Sequence, residues 1–354
     1  LRLHTALALG VAALFGWWVF QAVPLGQLAD TLQTVSFSAL AWVACIFLAQ
    51  QALRAWRQQI LVQAVKPETT YRGNLSVLCM SFFCINSFPA RLGELVRPAL
   101  LLEKENVPLG AGFSVVFMER ILDLMVALGV LLVVLVQLDL PSTSVSVNGV
   151  LIDFPALAQA AALGVVLPVF SLLLFLAFAP KKGLAFVQAG IRLFARILPG
   201  KLEERVGAVA QRFGKSFLQG IAVVRQPVRL AKVLAITAVA WGGTGFLYVQ
   251  LANGFPALAG QVSWAQGMGI LVITMLGTAI PALPGFAAVY EGAVVAAFML
   301  LGIGEHPEVD ALAFALVVHW WIYAVQSGTA FYYFFREGVS VSKLRAATRR
   351  SQSA

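Results

Sequence analysis

Nine apolar runs follow one another along this chain, at about 5–23, 38–53, 74–88, 110–138, 157–179, 230–251, 264–280, 286–303 and 309–335. A helix needs roughly 20 apolar residues to cross about 30 Å of hydrocarbon, and several of these runs approach that length. What lies between them cannot clothe them in water. Only 12% of the residues are charged, against roughly 25% in soluble domains. The pattern predicts an all-α polytopic membrane protein, because a segment inside lipid must satisfy its own backbone polar groups. The run 5–23 has no small-residue cleavage site before the next segment, so a retained helix is expected there.

Lysines and arginines sort the connections. Arg54, Arg57, Lys66 and Arg72 follow the second run, and residues 181–228 and the tail are also basic. Connections 139–156, 252–263 and 302–310 contain no Lys or Arg. Basic connections stay on the cytoplasmic side. If 74–88 crossed, it would carry Arg91, Arg97 and Lys104 outside and leave the acidic connection after 110–138 inside. The charges agree if 74–88 enters from the cytoplasm, breaks near Pro89 and Gly93, and returns over about 94–106. Likewise 264–280 and 286–303 lie between two outside connections and are broken at Pro281-Ala282-Leu283-Pro284-Gly285. A second re-entrant hairpin, from the other face, is expected there.

Six full spans remain, 5–23, 38–53, 110–138, 157–179, 230–251 and 309–335, with both termini cytoplasmic. Residues 1–140 then form a first repeat of three spans and a hairpin, residues 141–340 a second, and residues 341–354 a basic tail. An odd number of spans per repeat inverts the second relative to the first, a plan used by many transporters. "PARLG" at 89–93 and "PALPG" at 281–285 fall at corresponding points of the two halves. Residues 181–228 alternate apolar and basic residues at helical spacing and read as amphipathic helices on the inner surface, among anionic headgroups.

Interrupted helices at membrane depth need protein or a wet cavity around their freed backbone groups. The charges gather near the breaks. Arg91, Glu94 and Arg97 lie on or just after the first; Glu119, Arg120 and Asp123 follow in "VFMERILDLMVA"; Glu291 follows the second; His319 sits in "VVHWWIY". Charges at depth are costly, at least about 2.5–3.5 kcal/mol each, so they pair with one another or serve a pathway. Arg91, Arg97 and Arg120 are candidate donors to a phosphate-bearing headgroup. Glu94, Glu119, Asp123 and Glu291 are candidates to balance those arginines or carry protons, and His319 is a candidate proton relay. The plainer reading is that these groups neutralise one another and pin a hairpin to the bundle.

Other chemistries find little support. Cys45, Cys79 and Cys84 sit inside apolar runs with no metal-binding or disulfide spacing. "GKS" at 214–216 lacks the upstream glycine of a P-loop, since position 209 is Val209. The net charge of +9 is read as basic inner connections, with no nucleic acid partner. No cofactor, no metal and no enzymatic activity are expected. The alternative enzyme reading would put Mg²⁺ on Glu119 and Asp123 and act on lipid phosphates. A scaffold for a lipid-modifying partner is a further alternative.

"PARLGELVR", then "MERILDL", then "PGFAAVYE" resemble the flippase-like transmembrane region of lysylphosphatidylglycerol synthases and their stand-alone relatives. The resemblance covers essentially the whole chain. It rests on Pro89, Gly93, Glu94 and Arg97; on Glu119, Arg120 and Asp123; and on Pro284, Gly285 and Glu291. One departure stands out. The family is often glycine-rich after Pro-Gly, and this chain has Phe286-Ala287-Ala288. The resemblance implies a lipid flippase of the cytoplasmic membrane, acting on an anionic or aminoacylated phospholipid or a polyprenyl phosphate. No soluble aminoacyl-transferase region follows Arg336, so lysine transfer to lipid by this chain alone is not expected.

Overall fold

The computed structural model describes residue 17, residues 24–87, 94–137, 144–147, 150–153, 216–219, 221–278 and 284–338, and isolated positions between 164 and 189. The expected spans 5–23 and 157–179, most of the connector 181–228 and the tail 341–354 lie outside the described residues. So do the break residues Pro89, Gly93 and Pro281, together with Arg91.

The described chain is helical. In order come α1 (Leu25–Gln33), α2 (Phe37–Val62), α3 (Tyr71–Ser87), α4 (Val96–Glu105), α5 (Leu109–Gln137), α6 (Pro227–Ala252), α7 (Trp264–Gly277), α8 (Val289–Leu301) and α9 (Pro307–Glu337). One antiparallel hairpin, β1 (Ser144–Val147) with β2 (Val150–Asp153), pairs Val147 with Val150 and Ser144 with Asp153. The described chain is all-α as expected, with this one small hairpin in the connection after α5. Its signal is in the sequence: Asn148-Gly149 between two short β-prone runs is a strong hairpin cue.

Among the described residues three helices are long and apolar enough to cross a membrane: Phe37–Val62, Pro227–Ala252 and Glu308–Glu337. Their outward faces suit lipid, not water. Phe37 is 80% exposed and Phe335 85%, with Trp42, Val239 and Phe246 also exposed, and soluble monomers rarely show apolar patches of this extent. Local signals set the ends. Ser36 accepts the Ala39 N–H to cap α2, Ser263 and Gln266 form a reciprocal capping box on α7, and Pro227 and Pro307 open α6 and α9, where a missing N–H costs nothing.

Second-run boundaries need correction. The expected span 38–53 with its loop arginines is instead a helix of 26 residues that runs to Val62, so Arg54 and Arg57 belong to the bundle and not to the loop. No proline or glycine interrupts residues 53–66, and nothing local stops the helix before Pro67.

The shorter helices pair off. In the first pair, Glu105 at the end of α4 bonds the Thr70 backbone N–H just before α3 at 3.0 Å, while Arg97 near the start of α4 reaches Ser81 on α3. The two helices are antiparallel, with their open end at residues 70 and 105. In the second pair, the Gln266 amide on α7 donates to the Leu301 carbonyl at the end of α8, and Gly277 faces Ala293. These two are also antiparallel.

Both hairpins pack on α9, along different halves of it. Ser76 of α3 bonds Glu337 at the last residue of α9, and Ser87 at the other end of α3 bonds Tyr323 at 2.9 Å. Glu291 of α8 bonds His319, and α8 leads into the start of α9 through residues 302–306. The closed ends thus meet near the midpoint of α9, where the turn Pro284–Phe286 also touches α3. The apolar core divides the same way. One cluster surrounds α7 and α8 with Phe298 and Phe314 at its centre; another surrounds α3 and α4 with Met80, Leu100 and Met118.

Candidate functional site

Two polar assemblies occupy the region where the hairpins meet. The first is a buried ion network. Arg57 of α2 contacts Asp123 of α5 at 2.6 Å and lies 3.7 Å from Glu119. Glu119 also binds Arg97 of α4 at 2.5 Å. Thr237 accepts from Arg57, Ser81 accepts from Arg97, and the Trp241 indole N–H donates to Asp123 at 3.0 Å. Arg97 is 1% exposed and Glu119 2%. Two arginines and two carboxylates balance inside this network, which ties the first hairpin to α2, α5 and α6.

Helix geometry explains why these residues meet. Glu119 and Asp123 are one turn apart on α5 and face inward together, while Arg120 between them turns to a more open flank. There Arg120 lies 3.7 Å from Glu94, with side chains 41% and 29% exposed. Of the residues singled out from sequence after the first break, Glu94, Arg97, Glu119, Arg120 and Asp123 thus come together; Arg91 lies outside the described residues. Arg57, assigned above to a loop, is the member that sequence reading missed. A helical register continued past Leu53 puts Arg54, Arg57 and Leu61 one turn apart in succession, and this was the available signal.

The second assembly is a pocket of about 260 Å³ beside the closed ends of both hairpins. Phe47, Gln50 and Arg54 line it from α2, at helical spacing along one face. Thr244 and Tyr248 contribute from α6, Asn86 from α3, Tyr290 from α8, and His319 and Tyr323 from α9. His319 Nδ1 and Glu291 Oε1 are 2.8 Å apart. The imidazole stacks on Tyr290 with ring centroids 4.4 Å apart, and the Tyr290 and Tyr248 hydroxyls are 3.1 Å apart. Glu291 is 3% exposed, and its second oxygen has no partner among the described residues.

The turn that closes the second hairpin has an unusual backbone. Gly285 has φ 75°, Phe286 φ 57° and Ala288 φ 69°. Only the first of these is a glycine, in a conformation that L-residues avoid.

These elements coincide with one known group. A family model of the lysylphosphatidylglycerol synthase TM region matches residues 5–328. The chain belongs to this family. A search of curated proteins finds no match. In this lysylphosphatidylglycerol synthase TM region, the three motif blocks that carried the resemblance fall on the two assemblies. Arg97, Glu119 and Asp123 join the ion network, Glu94 and Arg120 pair on its flank, and Pro284, Gly285 and Glu291 build the turn and the wall behind the pocket. Among the described residues no three His, Cys, Asp or Glu side chains gather as a metal site.

Proposed function

We propose that this chain moves a phosphate-bearing lipid headgroup across the cytoplasmic membrane, through a site at mid-bilayer between two inverted halves. Six spans and two re-entrant hairpins make up the halves, and both termini face the cytoplasm. The headgroup occupies the pocket at the hairpin tips while the acyl chains stay in lipid, and rocking of one half against the other exposes the pocket to each side in turn. The buried network of Arg57, Arg97, Glu119 and Asp123 holds the first hairpin, Glu94 and Arg120 guide the approaching headgroup, and Arg91 is a further donor to its phosphate. Glu291 and His319 stand where a proton could be exchanged during transit.

The observation that carries this reading is the head-to-head meeting of two short helical hairpins beside one polar pocket, halfway along α9. An enzyme acting on lipid phosphates through Mg²⁺ draws no support from the geometry, since Glu119 and Asp123 already hold arginines.

Reconstitution in liposomes tests it. Headgroup-labelled phosphatidylglycerol in the inner leaflet should become accessible to an impermeant quencher outside, chemically unchanged, faster than in protein-free vesicles. A chemically converted lipid would establish an enzyme instead. Unchanged accessibility in correctly inserted protein would leave a scaffold role.

A further inference from the structure

Two hydroxyl pairs help to wall the pocket. The Tyr248 and Tyr290 hydroxyls are 3.1 Å apart, and those of Ser87 and Tyr323 are 2.9 Å apart. The imidazole of His319 borders the same cavity and is engaged differently. Its Nδ1 lies 2.8 Å from Oε1 of Glu291, in the first turn of α8. Its Nε2 makes no hydrogen bond among the described residues. The side chain is nonetheless within reach of the cavity, at 11% exposed.

A carboxylate can only accept, so Nδ1 carries the proton of the neutral ring and Nε2 keeps a lone pair. The start of α8 favours negative charge where Glu291 sits. A carboxylate so placed fixes one tautomer and accommodates an imidazolium once the other nitrogen takes a proton. The ring also lies on Tyr290, with centroids 4.4 Å apart, and an aromatic face suits a cation.

Charges around the ring pull in both directions. Arg54 of α2 lines the pocket and opposes a further cation there, while Glu291 of α8 favours one. Tyr248 of α6, Tyr290 of α8 and Tyr323 of α9 are phenols tied up in the pairs above. Asn86 of α3 and Thr278 after α7 line the cavity without charge. α1 also packs on α9, and its one charged residue, Asp30, is exposed. Arg54 and Glu291 thus offset one another. An anion in the cavity adds a negative charge beside the ring, which favours the imidazolium, and its Nε2–H can then donate to that anion.

Resting on the transport reading above, we infer that His319 Nε2 takes up a proton together with the anionic occupant of the pocket, and that proton and headgroup cross in the same step. His319 binds the proton; Glu291 is a positioning residue. The N–H bond formed on entry breaks on exit, and the proton returns to water on the far side. By reciprocity, if occupancy favours the proton, acidity favours occupancy.

The test is calorimetry of short-chain phosphatidylglycerol binding to the purified full chain in detergent. Two buffers of different ionisation enthalpy are compared from about pH 8 to about pH 6, where histidine ordinarily titrates. Binding should take up protons, at most one per lipid. It should tighten about three- to tenfold as pH falls across that range, one linked proton allowing no more than about tenfold per pH unit. Short-chain diacylglycerol, which lacks the phosphate, should show no uptake. His319→Gln should abolish uptake and flatten the pH profile, and Glu291→Gln should shrink the uptake. His306→Gln, at the exposed start of α9, should keep it. Variants are scored only when their thermal unfolding matches wild type, with His319→Asn as the second substitution. Phosphatidylglycerol bound without uptake and with a flat pH profile overturns the inference, as does uptake that survives in folded His319→Gln. No binding at any pH refutes the transport reading and the inference with it, so the two failures differ. In the liposome assay, labelled lipid should leave the inner leaflet faster with the interior acidic than with the exterior acidic. Equal rates overturn the joint crossing.

Discussion

Glu105 folds back onto Thr70. Its two carboxylate oxygens take the Thr70 backbone N–H at 3.0 Å and the hydroxyl at 2.9 Å, closing a hairpin whose ends are 35 residues apart. The bond also sets a negative charge at the start of α3, where the helix dipole favours it. Glu105→Ala should lower stability by about 1 kcal/mol, read as a fall in the thermal unfolding midpoint in detergent. Glu103→Ala, two residues away on the same helix and without that bond to Thr70, is the control.

The buried network has a sharper signature. Removing one partner strands a charge where water cannot reach it. Arg97→Met or Glu119→Leu alone should cost about 3–5 kcal/mol. The double variant should recover most of that loss, because an apolar pair of similar volume replaces a desolvated ion pair. Denaturant titration of the four proteins checks it, and a double variant no better than the worse single one would show that the residues act separately.

Ala288 has φ 69° and ψ −39° at the foot of α8. A Cβ there costs about 1–2 kcal/mol relative to glycine, partly offset by the greater freedom of glycine in the unfolded chain. Ala288→Gly should therefore raise stability by up to about 1 kcal/mol, measured by thermal unfolding. The departure from a glycine-rich turn that stood out in the sequence is thus a local strain and not a change of shape.

Gly267 lets α6 and α7 touch at the backbone. A Cβ at that position would lie 2.6 Å from the Gly245 carbonyl oxygen. Gly267→Ala should force the helices apart at a cost of about 1–3 kcal/mol. At Gly26 on α1 a Cβ meets nothing within 4 Å, and Gly26→Ala should cost nothing, alanine being the better helix former.

Much of this was legible in the sequence because prolines and glycines punctuate apolar runs. The breaks after Ser87 and Gly277, the helix after Pro307 and the inward pair Glu119 and Asp123 all followed from spacing and helical period. The carboxylate partner of Arg97, Glu119, followed less well, since a sequence gives the height of a charge but not which neighbour it faces. Arg54 and Arg57 were misread for a physical reason. The rule that basic residues mark inner loops counts cations without asking whether they are paired, and Arg57 is tolerated inside the helix bundle because Asp123 and Glu119, more than 60 residues later, meet it there. The pocket itself was invisible, for it is assembled from α2, α3, α6, α8 and α9 together.

Side-specific thiol labelling in sealed vesicles tests the architecture most directly. With Cys45, Cys79 and Cys84 replaced, single cysteines are introduced as Glu68→Cys and Pro108→Cys, which flank the first hairpin, and as Gln261→Cys and Glu305→Cys, which flank the second; all four positions are exposed. The expected result is that 68 and 108 react from the cytoplasmic side alone and that 261 and 305 react from the opposite side alone. Labelling of 68 and 108 from opposite faces would make α3 and α4 a continuous crossing and contradict the head-to-head hairpins on which the pocket depends.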